Sequence, residues 1–175
     1  LLKDDNWKKG DIPDLYGLKG IENTFYFHPK KKENFHYKRE VLEKHGRIFS
    51  PPEVSKYSGK IKNICDCIKK SKGIVILFSQ FIYGGCVPIA LILEEMGFKR
   101  YNHEKSLFKE EHLKTVEPLN ALTMKHRDEG DFKQAHYAMI TGDKNFSPDN
   151  KLELIAATNE NNTNGEIIKV IIISR

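Results

Sequence analysis

The chain has 175 residues, and its apolar fraction of 39% is sufficient for the buried core of one ordinary domain, which excludes a disordered protein. Lysine and arginine exceed aspartate and glutamate by 29 to 24, a net charge of +5 that suits a polyanionic partner without being specific to one. No apolar run approaches the ~20 residues of a membrane-spanning helix, and an odd number of cysteines indicates a reducing compartment, so we expect an intracellular protein with no membrane partner.

Residues 1–55 form a polar, basic and aromatic lead-in segment whose apolar residues follow neither a helical nor a strand period. Between His28 and Glu40 the basic residues alternate with Phe35 and Tyr37, a composition that suits binding of a phosphate backbone together with stacking on bases. A solvated, charged surface explains the same pattern. Both interpretations stay open from the sequence.

Residues 56–101 have the pattern of helices alternating with strands. Apolar residues at helical spacing between Ile61 and Ile68 predict a helix, with Ser58 as its N-cap. The apolar run Ile74–Phe78 predicts a strand that is buried on both faces of a parallel sheet. Pro88 suits the first turn of a second helix, and Phe98–Tyr101 predicts the beginning of a short strand.

The second half of the chain continues this alternation after a charged insertion. We assign residues 102–136 to the insertion, because Pro118 and Gly130 interrupt its weak helical patterns. Strands are predicted at Tyr137–Ile140 and Ile167–Ile173, with Ser147 and Pro148 as the cap and first turn of a helix between them. The predicted fold class is therefore α/β, a parallel sheet flanked by helices, with an N-terminal extension and an insertion.

Several segments in this order resemble the C-terminal lobe of superfamily 2 helicases, especially the Swi/Snf-type remodelling ATPases. They are Ser58-Gly-Lys60, Ile76-Leu-Phe-Ser-Gln80, Tyr137-Ala-Met-Ile-Thr-Gly-Asp143 and the strand that ends in Ser174-Arg175. The segments Phe81–Leu91 and Glu94–Tyr101 look closest to helicases and early-transcription-factor ATPases of large DNA viruses. The resemblance implies a RecA-like sheet of the P-loop NTPase type over residues 56–175, interrupted by the insertion.

This resemblance implies that the chain is the second motor lobe of an ATP-dependent nucleic-acid helicase or translocase. The implied partners are DNA or RNA, the N-terminal RecA-like lobe of the same polypeptide, and viral transcription proteins. The implied location is the virion or the host cytoplasm if the source is viral. Because the chain begins at Leu1 and ends at Arg175 directly after an apolar run, we expect it to be a piece of a larger protein.

The chain contains no Gly-x-x-x-x-Gly-Lys-Ser/Thr sequence and no acidic pair after an apolar strand, so we expect it to bind neither ATP nor Mg²⁺ by itself. ATP and Mg²⁺ are expected in the full-length parent. We also expect no metal site, because the histidines lack ligand spacing, and no catalytic residue. Cys86, just before Pro88, suits packing better than thiol catalysis.

The candidate nucleic-acid contacts are polar residues at the carboxyl ends of predicted strands, where loops of open α/β sheets bind ligands. They are Ser79, Gln80, Thr141, Gly142 and Ser174. Hydroxyls and backbone N–H groups at these positions can bind phosphate oxygens without reading sequence. Capping of the next helix or turn explains Ser79 and Thr141 equally well.

Two other functions compete with the motor lobe. The first is a non-catalytic docking module of a viral transcription or packaging assembly, with residues 102–136 as its contact surface. The second is an unrelated doubly wound enzyme, which requires a convergent pocket of titrating groups. The sequence shows no such pocket.

Overall fold

The computed structural model describes residues 16–28, 30–103, 106–126 and 132–174. Within these ranges the chain forms seven α-helices and six β-strands, with a π-helical turn at Ile82–Cys86 before α5. None of these helices is both long and apolar enough to cross a membrane. The elements in chain order are α1 (Gly17–Thr24), β1 (Phe25–Tyr26), β2 (His36–Tyr37), α2 (Arg39–His45), α3 (Val54–Tyr57), α4 (Gly59–Lys70), β3 (Val75–Phe78), α5 (Val87–Glu95), β4 (Lys99–Arg100), α6 (Glu110–Leu113), β5 (His136–Ile140), α7 (Lys151–Ala157) and β6 (Val170–Ile173).

The main sheet has four parallel strands in the order β3-β6-β5-β4. Helices connect consecutive strands, as parallel pairing requires, because a short turn cannot return the chain to the same end of the sheet. The predicted fold class, a parallel α/β sheet flanked by helices, is confirmed, and the arrangement is consistent with a RecA-like fold. Strands β1 and β2 form a separate antiparallel pair in the lead-in segment.

Helices α4 and α5 lie where the sequence predicts them. The Ser58 hydroxyl accepts a hydrogen bond from the backbone N–H of Ile61 at 3.3 Å and so satisfies one of the free donors at the start of α4. Pro88 lies in the first turn of α5, where the sequence predicts it. Helix α5 is buried over its whole length except for Pro88, which is half-buried. It occupies the centre of the main core.

The prediction that β3 is buried on both faces is wrong. Ile76 and Phe78 remain 64% and 61% exposed, whereas Val75 and Leu77 on the other face pack against the main core. Strand β3 lies at the edge of the sheet. On its exposed face, α7 covers the inner strands, where Ala156 packs with Ala138 and Ile171. The apolar run therefore predicted the strand correctly, but it did not predict that one face of the strand is exposed.

The predicted helix start at Ser147 and Pro148 is also wrong, because α7 begins at Lys151. The Ser147 hydroxyl instead donates to the carbonyl of Met139 at 2.7 Å and accepts from the N–H of Thr141 at 2.9 Å. These two backbone groups lie where β5 ends. Ser147 therefore forms hydrogen bonds with backbone groups at the end of a strand rather than at the start of a helix.

The lead-in segment contributes directly to the main core. Phe25, Phe35, Tyr37 and Phe49 are at most 6% exposed and contact one another as a group of aromatic rings. The structure therefore contradicts the interpretation that Phe35 and Tyr37 stack on bases, because buried rings cannot reach a base. Residues 1–15 of the segment lie outside the described residues.

Candidate nucleic-acid interface

The ends of three parallel strands form one rim of the sheet. Phe78 of β3 and Ile140 of β5 are both in register with Ile173 of β6, which lies between them. Two backbone hydrogen bonds of 3.0 Å continue this alignment past the strand ends, from the N–H of Ser79 to the carbonyl of Ile173 and from the N–H of Ser174 to the carbonyl of Ile140. We call this edge, with the residues that follow each strand, the rim. It brings together the three segments that carry the predicted contacts.

Ser79 closes the turn after β3 with its own side chain. Its hydroxyl lies 3.1 Å from the carbonyl of Phe81, to which it donates, and 3.2 Å from the N–H of Phe81, from which it accepts. The turn is tight, because a Cβ atom at Gly85 would lie 2.0 Å from the Ser79 Oγ atom. The neighbouring side chain, Gln80, is exposed. Of the two, Gln80 is the side chain that presents polar atoms to solvent.

Thr141 has a similar local role at the end of β5. Its side chain is 8% exposed, and its hydroxyl lies 3.2 Å from the Ser147 hydroxyl and 3.4 Å from the carbonyl of Asp143. Gly142 and Lys144, which follow in the same turn, are exposed. The turn therefore offers the backbone of Gly142 and the ammonium group of Lys144 to a ligand. Capping is the observed role of the Thr141 side chain.

Ser174 is half-buried at the end of β6, beside the thiol of Cys86. The sulfur lies 4.0 Å from the carbonyl of Ser79 and 3.9 Å from that of Ile173, so it fills the space between two strand ends. Burial raises the pKa of the Cys86 thiol, which keeps it protonated and unreactive. Cys86 is fully buried and packs beneath the rim. Arg175 lies outside the described residues.

Two aromatic rings flank the rim residues. Tyr83 lies in the π-helical turn after Ser79 and Gln80, and its ring centre is 5.8 Å from that of Phe146, in the segment after β5. The Nζ atom of Lys32 lies 5.6 Å from the centre of the Tyr83 ring. A cation of the lead-in segment is thus held beside the rim, although the sequence gives no sign of this contact.

A mainly apolar groove of about 410 Å³ adjoins the β3 end of the rim. Ser79, Gly84 and Gly85 line it together with Ser58 and Lys60 at the start of α4. The predicted opening segment of the lobe, Ser58-Gly-Lys60, therefore lies near the turn after β3. Apolar side chains of α1, α4 and α5 form part of the remaining wall, and others come from α3, β3 and the segment before α3.

Two consecutive carboxylates, Glu94 and Glu95, are buried at the end of α5, and neither was predicted as a site residue. Glu95 contacts Arg47 and Tyr37 of the lead-in segment and His112 of the insertion. Burial raises the pKa of Glu95, but hydrogen bonds from His112 and Arg47 outweigh this effect and hold it below its ordinary value. An acidic pair that ends an otherwise apolar helix was the signal available in the sequence.

Glu94 accepts three hydrogen bonds. Its carboxylate receives the backbone N–H groups of Leu107 at 2.7 Å and Phe108 at 2.8 Å, and the Tyr137 hydroxyl at 2.6 Å. Helix α5 begins just after the rim, so its last residues lie toward the opposite end of the sheet. We therefore assign Glu94 and Glu95 to the junction between core, lead-in segment and insertion, and not to the rim.

Within the described residues, no group of three or more histidine, cysteine, aspartate and glutamate side chains could hold a metal ion. Comparison of the sequence with models of known protein families and with curated proteins gives no match. The likeness to helicases accordingly rests on the sequence segments themselves, together with a sheet topology compatible with a RecA-like lobe.

Proposed function

We propose that this chain is the second motor lobe of an ATP-dependent nucleic-acid helicase or translocase. In the parent protein it would contact the nucleic-acid backbone through the rim and complete the ATP site between two lobes. A first RecA-like lobe would supply the phosphate cradle and the Mg²⁺ ligands, which this chain's sequence lacks. Closure and reopening of the two lobes, driven by ATP hydrolysis, would advance the rim along one strand.

The observation that carries this proposal is the common rim formed by the ends of β3, β6 and β5. Ligands of open parallel sheets bind beyond the carboxyl ends of the strands, and the resemblance puts its nucleic-acid contacts on these same segments. An antiparallel sheet, or strand ends at opposite edges, would have been incompatible with such a lobe.

The rim supports contact with phosphates more than reading of bases. Gln80 and Lys144 present an exposed amide and an exposed ammonium group, and Gly142 presents exposed backbone. Groups of these kinds bind phosphate oxygens whatever the base, as a motor that steps along any sequence requires. Because the hydroxyls of Ser79 and Thr141 are occupied locally, we propose that these two residues shape the turns while their neighbours bind.

The test compares two lysines at opposite ends of β5. Lys144 follows the strand at the rim, whereas Lys133 precedes it, and both are exposed. We expect Lys144→Gln to weaken binding of a labelled single-stranded oligonucleotide and to make the dependence of log K on log salt shallower by about 0.7, the loss of one phosphate contact. Lys133→Gln, which removes the same charge elsewhere, should leave that slope unchanged.

A second pair tests a neutral contact in the same titration. Gln80→Ala should weaken binding by about 1 kcal/mol, roughly five-fold, while Asn161→Ala, an exposed amide before β6, should not. Equal affinities for all four variants and the unaltered chain would reject the rim as the nucleic-acid contact. In the full-length parent, the two rim variants should also reduce nucleic-acid-stimulated ATP hydrolysis.

Exposed apolar side chains on the insertion favour a second candidate, the docking module. Leu122 and Phe132 are 44% and 43% exposed. Both lie in the part of the insertion where isolated antiparallel bridges pair Leu119 with His126 and Asn120 with Gln134. If docking is the function, Leu122→Ser and Phe132→Ser should abolish assembly with the transcription or packaging partner, and the rim variants should have no effect.

A further inference from the structure

The loop between β1 and β2 places a concentrated positive charge in the lead-in segment. We call its described residues, 27–28 and 30–35, the hairpin loop. From position 27 to position 35 the sequence contains three lysines and one glutamate. Lys30 and Lys31 are exposed, and among the described residues neither takes part in a salt bridge. Their charge is therefore available to a polyanion.

The hairpin loop is held in one shape by its own backbone. The N–H of His28 donates to the carbonyl of Glu33 at 2.9 Å, and the N–H of Lys32 donates to the carbonyl of His28 at 2.8 Å. Lys32 and Asn34 have φ angles of +52° and +60°, the left-handed conformation that folds a short loop back on itself. The exposed lysines therefore project from a fixed turn, so little of their backbone freedom would be lost on binding.

Aromatic contacts fix this loop beside the rim. The Nζ atom of Lys32 lies 5.3 Å from the centre of the Phe27 ring and 5.6 Å from that of Tyr83. Tyr83 comes four residues after Ser79 and contacts Phe146 after β5. Helix α1, which precedes the loop, also reaches this turn, because a Cβ atom at Gly84 would lie 3.9 Å from the Cα atom of Gly17. The loop thus shares its supporting residues with two strand ends of the rim.

We infer that the hairpin loop is a second backbone-binding element of the same surface, in which Lys30 and Lys31 contact phosphates while Lys32 anchors the loop on Tyr83. This inference rests on the proposed function, because it extends the rim on the side of the lead-in segment. The ligand is single-stranded nucleic acid, bound through its phosphates and without base recognition. Phe35 is buried and stacks on Phe27 within the loop, and neither it nor the buried Tyr37 can stack on bases.

The experiment replaces two matched pairs of lysines with glutamine, one pair in each variant. Lys30→Gln with Lys31→Gln removes two charges from the hairpin loop. Lys69→Gln with Lys70→Gln removes two exposed charges from the end of α4, which leads into the opposite end of β3. Binding of a labelled oligothymidine of about 20 nucleotides is measured by fluorescence anisotropy over a series of sodium chloride concentrations. Both double variants should keep the fold, because exposed substitutions change stability little.

We expect the hairpin-loop pair to make the dependence of log K on log salt shallower by about 1.4, since each single-strand phosphate contact contributes about 0.7. The pair in α4 should leave the slope within error of the unaltered chain. Equal slopes for the two pairs would overturn the inference. So would a change in affinity without a change in slope, since lost phosphate contacts must alter the salt dependence.

The rim variants separate this inference from the proposed function. If Lys144→Gln lowers the slope but the hairpin-loop pair does not, the proposed function stands and the inference is rejected. If the hairpin-loop pair lowers the slope but Lys144→Gln and Gln80→Ala change nothing, the rim contact is rejected and the hairpin loop remains a phosphate-binding element. No binding by the unaltered chain at low salt would reject both.

Discussion

At the scale of single residues, Glu94 is a carboxylate held inside the core. It is fully buried, and three donors converge on its two oxygens. Burial raises its pKa from 4.5 to about 7, although the N–H of Phe108, the Tyr137 hydroxyl and the N–H of Leu107 each lower it. The hydrogen bonds thus offset only part of the cost of removing a carboxylate from water.

This shift predicts that Glu94 makes stability fall as pH rises. Its pKa in the folded state is above the unfolded value, so between pH 4.5 and about 7 the folded chain binds more protons than the unfolded chain. The contribution is fully favourable below pH 4.5 and is lost above about pH 7. The difference corresponds to roughly 3 kcal/mol.

The measurement compares the unaltered chain with Glu94→Gln in urea unfolding at pH 5 and pH 8. The glutamine does not titrate. Between pH 5 and pH 8 the unaltered chain should therefore lose roughly 3 kcal/mol of unfolding free energy relative to Glu94→Gln. Glu111→Gln makes the same substitution at an exposed glutamate and serves as the control. A difference that is the same at both pH values would contradict the raised pKa.

At the scale of elements, β3 combines a strand-like sequence with an edge position. Its run Val75–Phe78 pairs with β6 along one side only. The same strand ends at the rim, so the position that leaves Ile76 and Phe78 uncovered also keeps the turn at Ser79 and Gln80 open to solvent. The edge position of β3 thus explains both the exposed face of the strand and the access to the proposed contact.

The exposed face predicts a large difference between two chemically identical substitutions. Ile76 is 64% exposed, whereas Ile172, on the neighbouring strand β6, is fully buried. Ile76→Ala should lower the free energy of unfolding by no more than about 1 kcal/mol, and Ile172→Ala should lower it by about 2–5 kcal/mol, because only the second leaves a cavity. Urea unfolding measures both. Similar losses would mean that another part of the protein covers Ile76.

At the scale of the whole molecule, lead-in segment, sheet and insertion share one core. The N–H of Phe35 donates to the carbonyl of Leu107 at 2.8 Å, and the N–H of Lys109 donates to the carbonyl of Phe35 at 3.0 Å. Arg47 and His112 meet at the carboxylate of Glu95. Because these contacts join three sequence regions, we expect them to unfold together.

Two neighbouring residues of β1 test this cooperativity. Phe25 is 1% exposed and Tyr26 is 54% exposed. Phe25→Ala should lower the free energy of unfolding of the whole domain by about 3–5 kcal/mol, and Tyr26→Ala should change it by less than about 1 kcal/mol. Both the far-ultraviolet circular dichroism and the fluorescence should report one transition. A separate early transition that alone responds to Phe25→Ala would show an independent lead-in segment.

The sequence by itself determined the elements that depend on neighbours along the chain. The N-cap at Ser58, the helical spacing after it, and the apolar runs that end at Phe78 and Ile173 are local patterns, and local patterns specify helices and parallel strands. Consecutive parallel strands joined by helices must end at a common edge, so the rim also followed from the sequence. Its polar residues could be named on that basis.

Only the tertiary structure decided which faces and atoms remain free. The edge position of β3 depends on pairing with β6, about 95 residues later in the chain. The hydroxyls of Ser79 and Thr141 are occupied by turns whose geometry depends on Gly85 and Ser147. Burial of Phe35, and the approach of Lys32 to Tyr83, depend on long-range packing. The pairing of β3, the burial of Phe35 and the position of Lys32 have no local pattern, because they are set by packing between segments that are distant in the chain.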